Sequence, residues 1–182
     1  MKSLANLANT PAGVPLLADD VLEFHAARLL LLFKVSGISG RIDGLTKMAK
    51  LDFFVRYPQF FKVACDKLSV ATSTPTLPVE SSMIRFHYGP WDNRYYHVLS
   101  YLEAKGLLKI APKGNMYELK LTELGHGVGS QLANHQAFSE LVDHMKQVKK
   151  VLGAKAGSTL KNLIYQLFEY EVGKRSIGEV IE

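Results

Sequence analysis

The sequence has a single cysteine, Cys65, among its 182 residues. One thiol excludes an internal disulfide framework and any zinc site built from several thiolates. The stretch around it, FFKVACDKL, is apolar at helical spacing, which favours a buried and unreactive thiol. The sequence also lacks a long hydrophobic run. The most apolar one, Leu29–Phe33, is flanked by charged side chains and is far shorter than the ~20 residues that span a bilayer.

An excess of one charge is nearly absent as well. Lysine and arginine total 22 and aspartate and glutamate total 17, which gives a formal net charge of +5. This small excess permits contact with nucleic acid but does not require it. No typical secretion signal is visible in the first fifteen residues, so a cytoplasmic chain without membrane contact is expected. Hydrophobic residues at 47% and charged residues at 21% are ordinary values for a globular domain with a sizeable core.

The first third of the chain predicts an arm followed by helices. Residues 1–16 are rich in small residues, proline and glycine, and are predicted to form a flexible arm. Asp19 or Asp20 can cap a helix that runs to about Ser36, and SGRIDG follows as a predicted turn. Leucines and phenylalanines at helical spacing then follow in GLTKMAKLDFFVRYP.

Two features of this second helix can be specified further. Its lysines and arginine, Lys47, Lys50 and Arg56, are expected to lie off the apolar face. Pro58 disfavours helical geometry in the preceding residue and can itself begin a short helix through Lys67. Residues 69–82 contain two prolines and are predicted to be a loop.

Residues 83–132 carry the clearest pattern. A short strand, MIRFHY, is followed by a predicted turn at GPWDN and a helix to Gly106. LLKIA and MYELKL then predict a β-hairpin, and Thr122 can cap the next helix. This order is typical of a winged helix-turn-helix. We therefore expect a mainly α fold with a small β-hairpin, in which N- and C-terminal helices pack on a winged-helix core.

The expected domain organisation follows from this pattern. A winged-helix domain with N-terminal helices is predicted over residues 17–135, and a C-terminal helical extension over 136–182. In winged-helix modules the helix before the wing can enter the major groove of DNA with its N-terminal end first. The candidate DNA-contacting residues are Arg85, Asn93, Arg94, Tyr95, Lys109 and Lys113.

An alternative role for this module is protein binding. Scattered lysines are usually a solvated face, and Asp92 at the groove-facing turn would repel phosphate. Trp91 supplies a large apolar anchor, either packed under the helix or placed on a partner. The apolar face of the last helix can pack internally or in a partner's groove. The candidate partner-interface residues are Trp91, Leu160, Leu163, Ile164, Leu167 and Phe168.

The stretch GPWDNRYY (Gly89 to Tyr96) resembles the middle-component subunits of three-component ABC-ATPase systems. These include the Lamassu group of bacterial anti-plasmid and anti-phage systems. RIDGLTKMAKLDFFVRYP upstream and STLKNLIYQLFEYE downstream fit the same resemblance, which covers roughly residues 20–180. The resemblance implies a small winged-helix accessory protein whose partners are an SMC-like or Rad50-like ABC ATPase and an effector, commonly a nuclease. It brings no catalytic residues.

The sequence therefore predicts a non-catalytic accessory subunit that couples a DNA-sensing ATPase to an effector nuclease. Direct contact with double-stranded DNA and formation of a homodimer are left open. No cofactor or metal is expected, since no histidine pair has the spacing of a helical zinc site. The main alternative is a stand-alone, dimeric winged-helix transcriptional regulator, and a weaker one is an antitoxin-like inhibitor of a toxic effector.

Overall fold

The computed structural model describes residues 20–72 and 82–181. This part of the chain is mainly helical, with two small antiparallel sheets. The predicted arm at 1–16 and most of the predicted loop at 69–82 lie outside the described residues. Helices α1 to α7 span Leu22–Leu31, Leu45–Arg56, Pro58–Lys67, Tyr95–Ala104, Glu123–Asn134, Ser139–Leu152 and Gly157–Leu167. Strands β1 to β6 span Arg41–Asp43, Met83–Phe86, Gly89–Trp91, Leu108–Lys113, Met116–Leu121 and Val180–Ile181.

The first sheet has the strand order β1-β5-β4. Strands β4 and β5 form the hairpin that the sequence predicts, with Leu108 opposite Leu121 and Lys113 opposite Met116. Strand β1 pairs with the far edge of β5, and Arg41 lies opposite Lys120. The prediction of a turn at SGRIDG holds for Ser39 and Gly40 but is wrong for Arg41–Asp43, which form β1.

The second sheet has the order β3-β2-β6. Strand β2 lies in the middle, with Ile84 opposite Trp91 of β3 and opposite Val180 of β6. The prediction of a turn over GPWDN is wrong for its first three residues, since Gly89–Trp91 is β3. The C-terminal residues thus return to the middle of the chain and close this sheet.

Local chemistry explains two of the helix boundaries. Helix α3 begins at Pro58, as predicted, because the preceding Tyr57 is outside the helical region and proline is favoured at the first helical position. Helix α5 is capped by Thr122, whose hydroxyl oxygen accepts from the backbone N–H of Gly125 at 3.0 Å. A Cβ at Gly125 would collide with the carbonyl oxygen of Leu107, so this position needs glycine.

One hydrophobic core joins the N-terminal and C-terminal helices. Helix α2 is its centre and packs against both α6 and α7. Phe53, Tyr57, Phe60 and Phe168 form an aromatic cluster, in which the rings of Phe60 and Phe168 lie 4.6 Å apart. Residues 136–181 therefore share the core of the preceding helices. No helix within 20–72 or 82–181 is long and apolar enough to cross a membrane.

Candidate functional site

The candidate site is centred on the turn between β3 and α4. Asp92 follows β3 directly, and its Oδ1 accepts from the backbone N–H of Arg94 at 2.9 Å. A carboxylate in this position favours the start of a helix, because the first N–H groups of a helix lack internal partners. The turn therefore fixes the start of α4 and, with it, the positions of residues 92–97.

Asp92 is only 4% exposed and belongs to a buried network of ion pairs. Its Oδ2 accepts from the Arg56 guanidinium at 2.7 Å. The Arg94 guanidinium binds the same carboxylate with two N–H groups, at 2.8 and 2.9 Å. Three elements thus meet at one carboxylate, because Arg28 of α1 also lies 4.0 Å from Asp92.

A second carboxylate, Asp52 of α2, extends the network. It accepts from Arg28 at 3.2 Å and from the Tyr95 hydroxyl at 2.8 Å. His25 of α1 lies between two guanidinium groups, with ring nitrogens 3.0 Å from Arg28 and 3.2 Å from Arg94. We call these residues the ion cluster: His25, Arg28, Asp52, Arg56, Asp92, Arg94 and Tyr95.

The electrostatics of the ion cluster keep its charges in place. Burial alone would raise the pKa of Asp92, but the Arg94 hydrogen bonds and the Arg56 charge hold that pKa well below its usual range. Burial acts to lower the pKa of Arg56, but Asp52, Tyr95 and Asp92 together outweigh it, so the pKa is raised. Burial raises the pKa of Tyr95, and the charge of Asp52 raises it further. The aspartate is ionised and the phenol is neutral across the physiological range.

This arrangement places the predicted DNA-contacting residues of the turn in different environments. Tyr95 is 1% exposed, so its expected contact with DNA is corrected to a buried hydrogen bond with Asp52. Arg94 is partly exposed, but its guanidinium is bound by Asp92. Asn93 is exposed, together with Tyr96 and His97. The solvent-facing part of the turn is therefore neutral and aromatic instead of basic.

The predicted lysines lie on the outer face of the first sheet. Lys113 is exposed and pairs with Glu118 at 3.0 Å and Asp43 at 3.6 Å. Lys109 is exposed and lies directly opposite Lys120, which in turn lies opposite Arg41. Arg41 pairs with Asp43 and Glu118, whereas no described carboxylate pairs with Lys109 or Lys120.

Arg85 lies apart from this face, on the central strand β2 of the second sheet. Its backbone N–H donates to the carbonyl oxygen of Glu179, and its carbonyl oxygen accepts from the N–H of Gly178, both at 2.8 Å. Its buried Nε has no hydrogen-bond partner among the described residues. The structure therefore does not bring Arg85 into one sheet with Lys109 and Lys113.

The candidate partner-interface residues mostly lie inside the protein. Leu160 and Ile164 are 0% exposed and Phe168 is 2% exposed, so the side expected to face a partner packs on the protein's own core. Leu163 and Leu167 are partly buried against the same core. The apolar pattern of this helix is explained by internal packing on α2 and α3.

Trp91 is also largely buried, at 9% exposed. Its ring contacts Tyr95 edge-on at 5.0 Å and lies 6.0 Å from the Phe86 ring. Trp91 anchors the turn against the core, in agreement with the first of its two expected roles, packing under the helix. Tyr96, 5.6 Å from Trp91, is 61% exposed and carries the aromatic surface outward.

Three polar residues of α2 were not among the candidate site residues that the sequence predicted. Lys50, Asp52 and Arg56 are 1%, 0% and 3% exposed, so the expectation that Lys50 and Arg56 lie off the buried side is wrong. The signal available was Asp52 and Arg56 four residues apart within an otherwise apolar helix, a spacing that places them on one face. Among the described residues, no group of three histidine, cysteine, aspartate or glutamate side chains could hold a metal ion.

Comparisons of the chain with protein-family models, with curated proteins and with solved structures found no match. Functional inference for this chain therefore depends on its residues and their geometry.

Proposed function

We propose that this chain is a non-catalytic winged-helix subunit that docks on partner proteins. The element order supports a winged helix: α1, β1, α2 and α4 precede the hairpin β4–β5, and the short first strand pairs with the last strand of the sheet. In this proposal α4 corresponds to the recognition helix, and α3 with the β2–β3 hairpin is an insertion before it.

The observation that carries the proposal is which side chains are exposed at the N-terminal end of α4. Base reading needs donors that point outward, such as an arginine on guanine. Here Arg94 is bound in a fork by Asp92, and Tyr95 points into the ion cluster. Exposed tyrosines lie at this end instead, since Tyr88 and Tyr96 are 63% and 61% exposed. Tyrosine is enriched at protein interfaces, whereas a base-reading surface needs concentrated positive charge.

The sequence resemblance supplies the class of partner in this proposal. The chain would join an SMC-like ABC ATPase to an effector nuclease in bacterial anti-plasmid or anti-phage defence, in the cytoplasm. Arg41, Lys120 and Lys109 form a row of three cations across β1, β5 and β4. Like charges directly opposite each other destabilise a sheet, and Asp43 and Glu118 offset part of this repulsion at Arg41. In this proposal any DNA contact is assigned to this exposed row and to Lys113, which lies on β4 with Lys109.

The deciding experiment is recovery of the tagged chain from cells that carry its native gene neighbourhood, followed by mass spectrometry. An SMC-like ATPase recovered with a nuclease supports the accessory role. A double variant, Tyr88→Ala with Tyr96→Ala, is expected to lose these partners. Tyr170→Ala is the matched control, because Tyr170 is 73% exposed outside this region. Recovery of the chain as a lone dimer on one DNA sequence would instead establish a transcriptional regulator.

A separate measurement tests the DNA assignment. Lys109→Gln with Lys120→Gln should reduce the salt dependence of DNA binding by the assembled complex by about two phosphate contacts. The matched control replaces two other exposed lysines, Lys146→Gln with Lys150→Gln, on α6. Equal salt slopes for the two double variants would exclude the sheet face as the DNA contact.

A further inference from the structure

A pocket of about 180 Å³ lies beside the ion cluster, between the start of α2, the β2–β3 hairpin and the start of α4. Phe86, Trp91 and Tyr96 supply aromatic walls, and Tyr88 supplies another side chain at the opening. Lys50 is the one charged residue of its lining. Because Tyr88 and Tyr96 are mostly exposed, the pocket is reached from solvent at their side.

Lys50 is in an unusual position for a lysine, since it is 1% exposed. Its Nζ donates to the carbonyl oxygen of Pro90 at 2.8 Å. An ammonium group has three N–H donors, and Pro90 supplies the one acceptor found among the described residues. No described carboxylate lies within ion-pair distance of it. A buried ammonium is normally paired with an anion or loses its proton, and an anion bound in the pocket would supply the partner that no described carboxylate provides.

The surroundings add to this deficit. Burial, and after it the charge of Lys161 on α7, lower the pKa of Lys50 to about 7. Gly89 leaves space next to the amine, because a Cβ there would lie 3.5 Å from Lys50 Nζ. Its φ of +96° is also one that favours glycine. The pocket wall thus combines a glycine, which has no side chain, with an amine that has no carboxylate partner among the described residues.

We propose that this pocket binds a single-ring aromatic carboxylate, whose carboxylate group pairs with Lys50 and whose ring packs against Trp91, Phe86 and Tyr96. The volume suits one ring, since a cavity of about 150 Å³ accepts benzene in an engineered protein. The aromatic walls alone would also attract a cation, but the Lys50 charge repels one. This inference is independent of the proposed role as an accessory subunit.

The full-length chain contains its own reporter, because Trp91 is its one tryptophan. Titration with benzoate at pH 6 should give a saturable change in Trp91 fluorescence. Benzamide, which has the same shape without the charge, should bind at least tenfold more weakly. No saturable change with benzoate up to about 10 mM, or equal binding of benzamide, overturns the proposal.

Two variants locate the binding. Lys50→Met keeps the length of the side chain and removes its charge, so benzoate binding should weaken at least tenfold while benzamide binding does not. Tyr96→Ala, at a mostly exposed position, should weaken both ligands and leave the fold intact. If Lys50→Met does not fold, the ratio of the benzoate and benzamide affinities of the unmodified chain still tests the proposal.

Binding should also depend on pH. The titratable groups that line the pocket are Lys50 of α2, Tyr88 and Tyr96. Lys161 and Tyr165 of α7 lie close to this lining, near Tyr88 and Gly89. Among these, Lys50 changes charge near neutral pH, so benzoate affinity should fall at least tenfold between pH 6 and pH 9. Affinity that is the same at both values contradicts the assignment of Lys50.

Discussion

Replacing Asp92 with asparagine tests whether the ion cluster holds the fold together. The wild-type carboxylate accepts four hydrogen bonds, from Arg56, from the two Arg94 guanidinium N–H groups and from the Arg94 backbone. Asparagine removes the charge and turns one acceptor into an NH₂ group that faces guanidinium donors. Breaking a buried ion pair by removing one partner costs about 3–5 kcal/mol.

This cost is large against the whole stability of a domain, which is about 5–15 kcal/mol. For a chain of this length it corresponds to a fall in Tm of about 6–20 °C. Urea unfolding followed by circular dichroism measures the free energy of unfolding of both proteins directly. Asp143→Asn is the matched control, because Asp143 pairs with Lys146 at the same 2.8 Å but both side chains are more than 60% exposed. The control should change stability by less than ~0.5 kcal/mol.

The pH dependence gives a second test of the same residue. The folded pKa of Asp92 lies below its ordinary value of 3.8. Its contribution is therefore fully present above that value and is lost as the pH falls below it. The difference between wild type and Asp92→Asn should be constant from pH 8 to 5 and shrink below pH 4. A loss of under 1 kcal/mol at pH 7, or one equal to that of the control, would refute the structural role of the cluster.

Three further predictions concern other parts of the fold. Gly125→Ala should destabilise the protein by about 1–3 kcal/mol, because the new Cβ collides with a backbone carbonyl. Gly127→Ala, two residues away in open space, should stabilise it by about 0.5–1 kcal/mol. Urea unfolding measures the free energy of unfolding of both variants. Phe168→Ala should cost about 3–5 kcal/mol in the same assay, because its ring lies in the core and not on a partner. Burial lowers the pKa of His144, so stability falls as the pH drops below 6.5, and His144→Gln should reduce the difference in unfolding free energy between pH 7.5 and 5.5.

Sequence patterns predicted the elements whose signals are local. Pro58 sets the start of α3 by its own backbone geometry, and the hairpin β4–β5 follows from two apolar runs around Pro112–Asn115. Strands β1 and β6 were not predicted. Each is two or three residues long and depends on a distant partner, as when Arg41 pairs with Lys120. Such short strands have too few residues for alternation to be visible.

The candidate site shows a different limit. The lysines and the arginine of α2, and Arg94 just before α4, indicate positive charge, but the sequence does not show which of these side chains is buried. Arg56 finds Asp92 across 36 residues, and Lys50 finds the Pro90 carbonyl across 40. In the predicted DNA-contacting turn, Arg94 is paired with Asp92 and Tyr95 with Asp52. The lysines of the hairpin, Lys109 and Lys113, are exposed, so their place on the surface could be predicted.

The segment Gly89–Tyr96 is where these observations meet. Its Pro90 carbonyl accepts from Lys50 and its Asp92 carboxylate accepts from Arg56, so it is fastened to α2 at two points about 9 Å apart along the helix. Trp91, between the two, forms a wall of the pocket. This segment therefore attaches the start of α4 to the core of the protein. The attachment leaves Asn93 and Tyr96 exposed, so under the proposed function these side chains are the ones available for contact with a partner.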